Sequence, residues 1–146
     1  MGVIILDLDH FKSVNDEYGH DVGDVVLCEV AALLQKGLRM EDIACRLGGE
    51  EFVIILPGIT IENLQVRADH LLLAFRALQV NHAGRLLKPL TASMGLACFP
   101  QHGADSESLL RAADAALYVS KNNGRNRATV AAAQQLPQLE TVPSAA

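Results

Sequence analysis

The stretch Ile43-Ala44-Cys45-Arg46-Leu47, Gly48-Gly49, Glu50-Glu51-Phe52-Val53-Ile54-Ile55-Leu56 constrains the fold more than any other part of the chain. Two apolar runs flank a glycine pair, which predicts two strands joined by a tight hairpin, with Pro57-Gly58 closing the second. Glycine permits positive φ at the turn and lets a ligand approach the backbone, and two carboxylates follow at once on the emerging strand. A turn that merely reversed the chain would need only the glycines. Adjacent strand residues point to opposite faces, so Glu50 and Glu51 share a role only if the turn distorts the pleat. The competing reading is a solvated hairpin with ordinary surface glutamates.

Around the hairpin, Val3 to Leu8 reads as a central strand covered on both faces and ending in Asp7-Leu8-Asp9. Val26, Leu27, Val30, Leu33 and Leu34 recur at helical spacing, with Asp21 and Asp24 near the start and an end near Gly37. Thr60 is placed to cap a second helix carrying Leu64, Ala68, Leu71, Leu72 and Phe75. Leu90 to Phe99 predicts another strand. Asp105 or Ser106 then opens a helix that Asn123-Gly124 terminates. The order strand, helix, strand, strand, helix, strand, helix describes an α/β sandwich with a mixed sheet and helices on its faces. Its 146 residues fit one domain. Periodicity fades after Arg127, so residues 128–146 are expected to form a disordered tail. Met1-Gly2 leads directly into a buried strand, which suggests that a portion lies upstream.

Half the residues are hydrophobic, which excludes disorder of the whole chain, and 4% are aromatic, which disfavours a stacking platform for single-stranded bases. A formal charge of -5 argues against DNA, RNA or anionic membrane as partners. No apolar run approaches the ~20 residues of a membrane span, so the domain is expected to be soluble and cytoplasmic, even if a longer protein carrying it is membrane-attached. Cys28, Cys45 and Cys98 stand in apolar stretches and read as buried thiols in a reducing compartment.

A sheet that sets the first strand beside the hairpin brings Asp7 and Glu50 to one edge. Two carboxylates repel there unless a cation lies between them, and hard oxygen ligands suit Mg²⁺ or Mn²⁺. The alternative is that Asp7 and Asp9 end the strand through local backbone hydrogen bonds.

Asp7-Leu8-Asp9-His10-Phe11-Lys12, Asn15-Asp16, Gly19-His20-Asp21-Val22-Gly23-Asp24, Arg46 to Phe52 and Lys121 to Asn126 together resemble the GGDEF-domain diguanylate cyclases, in register from about Val3 to Arg127. The resemblance implies a palm-like βααββαβ, ferredoxin-like core similar to class III nucleotidyl cyclases, occupying residues 1–127. It implies condensation of two GTP into cyclic di-GMP and two pyrophosphates across a homodimer. It places metal ligands at Asp7, Glu50 and the Leu8 carbonyl, and chemistry at Glu51 with Lys12 near the phosphates. Asn15, His20 and Asp24, with Gly48 and Gly49, match the substrate-binding stretch. Asn15 and Asp24 occupy the positions that read the guanine edge. Lys121 and Arg125 match a basic pair near the triphosphate, one helical turn apart if the helix persists.

Arg39-Met40-Glu41-Asp42 resembles the family's RxxD inhibitory product site, although Arg111-Ala112-Ala113-Asp114 satisfies the same pattern. Two departures stand out. The family's initial helical segment, Asp-x-Leu-Thr-Gly-Leu-x-Asn-Arg, is absent, and with it the link to an upstream regulatory module; Glu50 stands where the family name has Asp. A reading from a different class is a catalytically silent module that senses GTP or cyclic di-GMP.

Overall fold

The computed structural model describes residues 1–134. In chain order the elements are β1 (Gly2–Leu8), α1 (Phe11–Tyr18), α2 (His20–Gly37), β2 (Ile43–Gly48), β3 (Glu51–Leu56), α3 (Ile61–Ala77), β4 (Asn81–His82), β5 (Arg85–Leu86), β6 (Ala92–Cys98), α4 (Ser106–Asn122) and β7 (Arg127–Val130). Five strands form one mixed sheet in the order β2-β3-β1-β6-β7, antiparallel except for the parallel β6–β7 pair. The expected α/β sandwich is therefore the observed one.

Alternation along β1 divides the core. Ile4, Leu6 and Leu8 face one side, where Val26, Val30 and Leu34 of α2 and Leu64, Ala68 and Phe75 of α3 pack on them. Val3 and Ile5 face the other side, which α4 covers with Leu109, Ala113, Ala116 and Leu117. Thr60 and Asp105 cap α3 and α4 by accepting from the amides of Asn63 and Ser108.

α4 lies unusually close to β6. A Cβ on Gly95 would stand 1.9 Å from the Ala113 carbonyl oxygen and 2.4 Å from the Leu117 nitrogen. Only a residue without a side chain fits there. The Ser120 hydroxyl reinforces the seam by donating to the Met94 carbonyl at 2.8 Å.

Several expectations need correction. Periodicity alone predicts one helix before the hairpin; the two that the βααββαβ resemblance implies are present, because Gly19 breaks the segment into α1 and α2. The β4–β5 hairpin around Ala83-Gly84 carries too few apolar residues to register as strands. The tail does not begin at residue 128: Arg127–Val130 pair with β6, and the Ala131 N–H donates to the Leu96 carbonyl at 2.7 Å. Polar, small residues hid a short edge strand. The part of that tail beyond residue 134 lies outside the described residues.

Only Cys98 is buried; Cys28 and Cys45 are exposed. Cys28 falls between the buried positions Val26 and Val30 on the outer face of α2, and Cys45 lies on β2, the sheet's exposed edge. No described helix is long and apolar enough to cross a membrane.

Candidate active site

The acidic site forms where β1 meets the hairpin. The antiparallel register sets Asp7 opposite Glu51, and the Leu8 N–H donates to the Glu50 carbonyl at 3.2 Å. Cross-strand partners share a face, so Asp7 and Glu51 stand on the face that α4 covers. The pleat is distorted just before them: the β2–β3 register shifts between Arg46 and Gly48, and Gly49 takes φ 52°. Gly49 and Glu50 consequently form the loop, and Glu50 falls outside strand alternation. Arg46 Nε closes this loop by donating to the Gly49 carbonyl at 2.8 Å. Two glutamates thus reach one neighbourhood although they are adjacent in sequence.

The charges act on one another. Burial pushes the Asp7 carboxyl above its ordinary pKa, Glu50 and Asp9 push it further, and Lys121 opposes them through an ion pair of 3.0 Å to Asp7 Oδ2. Glu51 is likewise raised, first by burial and then by Asp114, Asp7 and Glu50 against the pull of Lys121. Asp114 and Lys121 lie two turns apart on α4 and so share its flank toward β3. Asp114 belongs to this electrostatic neighbourhood although nothing in the sequence singled it out beyond the decoy Arg111-x-x-Asp114 pattern. Arg111 itself pairs with Glu107 at 2.9 Å.

Asp9 has a different task. It is 6% exposed and accepts from Thr91 Oγ1 at 2.7 Å, Ser93 Oγ at 2.6 Å and the Asn126 N–H at 3.0 Å. These partners are 82, 84 and 117 residues away, so the carboxylate ties distant segments together rather than ending its own strand locally.

Among the described residues, no group of three or more His, Cys, Asp and Glu side chains has an arrangement that could hold a metal ion. The donor chemistry nonetheless fits a hard divalent cation, since Mg²⁺ is commonly held by one or two carboxylates while water and substrate phosphates complete its shell. Asp7 and Glu50, with the Leu8 carbonyl, are the groups that would hold it. A cation needs the carboxylates ionised. Its affinity for the full-length protein is therefore expected to fall on acidification while the pH is still above 3.8, the ordinary value for Asp. Calorimetric titration with Mn²⁺ at a series of pH values measures this, and affinity constant down to that value would contradict the raised Asp7.

The remaining candidates lie around α1 and α2. Asn15 is on α1, His20 opens α2, and Asp24 follows one turn later, beside a cleft of about 430 Å³ whose walls include Leu27, Arg46 and Phe52. Lys12 is exposed in the first turn of α1. Lys121 and Arg125 are not on one helix. α4 stops at Asn122, and Arg125 adopts φ 62° in a turn where its N–H donates to the Ser120 carbonyl. Among the described residues, Lys121 is the cation that ion-pairs with the acidic cluster; Lys12 and Arg125 do not.

Arg39 and Asp42 occupy the turn between α2 and β2. The Asp42 side chain is 3% exposed, and its Oδ2 accepts from the Arg39 N–H at 2.9 Å and from Arg67 of α3 at 2.8 Å. Arg67 also donates to the Gly37 carbonyl at the end of α2. The carboxylate is thus already engaged, and Arg67 is a partner that the local Arg-x-x-Asp spacing could not reveal. A cavity of about 460 Å³ beside it is lined by Arg39, Asn63, Arg67 and His70, among others.

The family model described as "Diguanylate cyclase, GGDEF domain" matches residues 1–127. Diguanylate cyclase A of Treponema denticola is 35% identical over 130 residues, covering 89% of this chain and 35% of that protein. The GGDEF domain of DgcB from Caulobacter crescentus, solved in complex with c-di-GMP, superposes with a TM-score of 0.82 at 34% identity, over 88% of this chain and 76% of that one. The active GGEEF domain of a diguanylate cyclase from Vibrio cholerae gives a TM-score of 0.82 at 32% identity, over 91% and 83%. The chain spans 35% or less of the length of the curated relatives it matches.

Proposed function

The chain belongs to the GGDEF domain family of diguanylate cyclases, and from that membership we propose that its full-length protein condenses two GTP into cyclic di-GMP. The observation that carries this reading is the meeting of Asp7, Glu50 and Glu51 at one sheet edge with Lys121 across from them. A structural hairpin has no use for three mutually repelling carboxylates beside a buried strand end.

In the proposed reaction the 3′-oxygen of one GTP attacks the α-phosphorus of the other. The bond to the bridging oxygen breaks, pyrophosphate leaves, and the hydroxyl proton is taken up by a base. Repetition in the opposite sense closes the ring. A divalent cation, Mg²⁺ or Mn²⁺, held by Asp7, Glu50 and the Leu8 carbonyl would neutralise triphosphate charge and acidify the attacking hydroxyl. Glu51 is assigned as proton acceptor, a role that its raised pKa favours near neutral pH. Lys12, Lys121 and Arg125 bind phosphate oxygens, while Asn15 and Asp24 read guanine, with His20 lining the same stretch and Gly48-Gly49 admitting the triphosphate to the backbone. One domain offers one such site, so the two nucleotides require a homodimer. An upstream regulatory module would govern its formation.

Mass analysis of products formed from GTP and Mg²⁺ by the full-length protein, with the 146-residue chain in parallel, tests the proposal. Cyclic di-GMP from the full-length dimer is the expected product. Nucleotide binding without turnover would instead identify a silent sensing module.

Product feedback is assigned to Arg39, whose guanidinium can stack on and hydrogen-bond a guanine. Arg39→Ala is expected to weaken cyclic di-GMP binding at least ~10-fold and to relieve inhibition. Asp42→Ala is expected to lower Tm as well, because it strips Arg67 of its buried partner. Unchanged feedback in Arg39→Ala would remove the assignment.

A further inference from the structure

We propose that Gly23 is the positioning residue that sets the guanine-reading amide of Asn15. The inference rests on the assignment of Asn15 to guanine and adds the reason its side chain is held.

α1 presents Phe11 and Asn15, one turn apart, to α2 at Gly23. A Cβ built on Gly23 would lie 1.9 Å from Asn15 Oδ1, 3.0 Å from its Cγ and 3.3 Å from Phe11 Cζ. The amide therefore occupies the volume that any side chain at position 23 would fill. Gly23 is buried and its φ lies outside the left-handed region, so the turn chemistry that explains other glycines does not apply to it. What a Cβ at this point would displace is the neighbour's side chain.

Oδ1 and Cγ are the atoms nearest the position a Cβ would take, so the amide group packs directly against α2 at Gly23. The next residue along the helix is Asp24. A donor beside a carboxylate acceptor complements guanine, which offers the O6 acceptor next to the N1 and N2 donors. Adenine presents an N6 donor where guanine has O6, so an amide donor that serves O6 finds no acceptor there. Displacing the amide removes the donor but leaves Asp24, and discrimination falls.

The experiment is a double-mutant cycle in the full-length protein, with dissociation constants for GTP and ATP measured calorimetrically and folding checked by circular dichroism. Gly23→Ala is expected to weaken GTP binding roughly tenfold and to leave ATP binding nearly unchanged, and the same is expected of Asn15→Ala. The two changes together are expected to weaken GTP no more than Asn15→Ala alone. Full GTP affinity in folded Gly23→Ala would overturn the proposal. If Gly23→Ala does not fold, the comparison passes to Asn15→Ser against Asn15→Ser/Gly23→Ala, in which the smaller side chain vacates the seat. Equal GTP affinity in that pair supports the proposal, and a much weaker double variant overturns it. Unaltered GTP preference in Asn15→Ala would sink the guanine assignment itself, an outcome distinct from failure of Gly23→Ala alone.

Discussion

Glu51→Gln in the full-length protein is expected to have two opposite effects: loss of cyclic di-GMP formation and a gain in thermal stability. Removing a general base costs ~10²–10⁴-fold in turnover, and the amide cannot accept the hydroxyl proton. The stability sign follows from the raised pKa of Glu51. Below 4.5, its ordinary value, the group is protonated in folded and unfolded chains alike and contributes no difference. As pH rises from there through the higher folded value, ionising a partly buried group beside Asp114, Asp7 and Glu50 costs folding free energy, and that cost persists at neutral pH. Glutamine removes it. Partial exposure and screening limit the gain, so a rise in Tm of roughly 2 °C is expected at about pH 7 and none at about pH 4. Thermal denaturation at the two pH values, with product analysis by mass, measures both effects. Undiminished turnover would take Glu51 out of the chemistry; a lower Tm at neutral pH would make it a structural carboxylate.

Gly95→Ala carries the largest expected cost in stability. The added methyl group meets two backbone atoms of α4, a carbonyl oxygen and an amide nitrogen, and neither can yield as a flexible side chain would. α4 must lift from the sheet or β6 must bend, at a cost of about 3 kcal/mol or more. Gly37→Ala supplies the contrast: its Cβ would meet only Leu71 Cδ2, at 3.4 Å, and a change within ~1 kcal/mol is expected. Urea unfolding of both variants makes the comparison. Equal midpoints would show that the α4–β6 seam has slack. Lifting α4 also withdraws Lys121 from Asp7, so activity is expected to fall in Gly95→Ala even where the variant remains folded.

How much of this was legible in the sequence differs by element. The hairpin, the long helices and their caps were readable because apolar periodicity and turn residues act locally. α1 was missed in the residue pattern because only Phe11 is buried along it. β7 was missed because its four residues gain their place by pairing with β6 rather than by burial. The acidic cluster was half legible. Asp7 and Glu50 were expected to meet, but the opposition of Asp7 and Glu51 is set by the β1–β3 register, which no residue count fixes. Asp114 and Arg67 were invisible because their partners lie on distant segments.

The Asp9 carboxylate is one acceptor shared by three segments at this end of the molecule. It holds the exit of β1, the start of β6 and the Asn126 amide after α4 with one buried charge. Releasing any one of the three leaves the carboxylate short of a donor, so their opening is expected to be coupled. In hydrogen-exchange experiments the Asn126 amide should consequently behave like a sheet amide, although it lies in a surface turn. The rear of the candidate site would then move as a single cooperative unit, and slow exchange there would report the intactness of the acidic edge without any nucleotide bound.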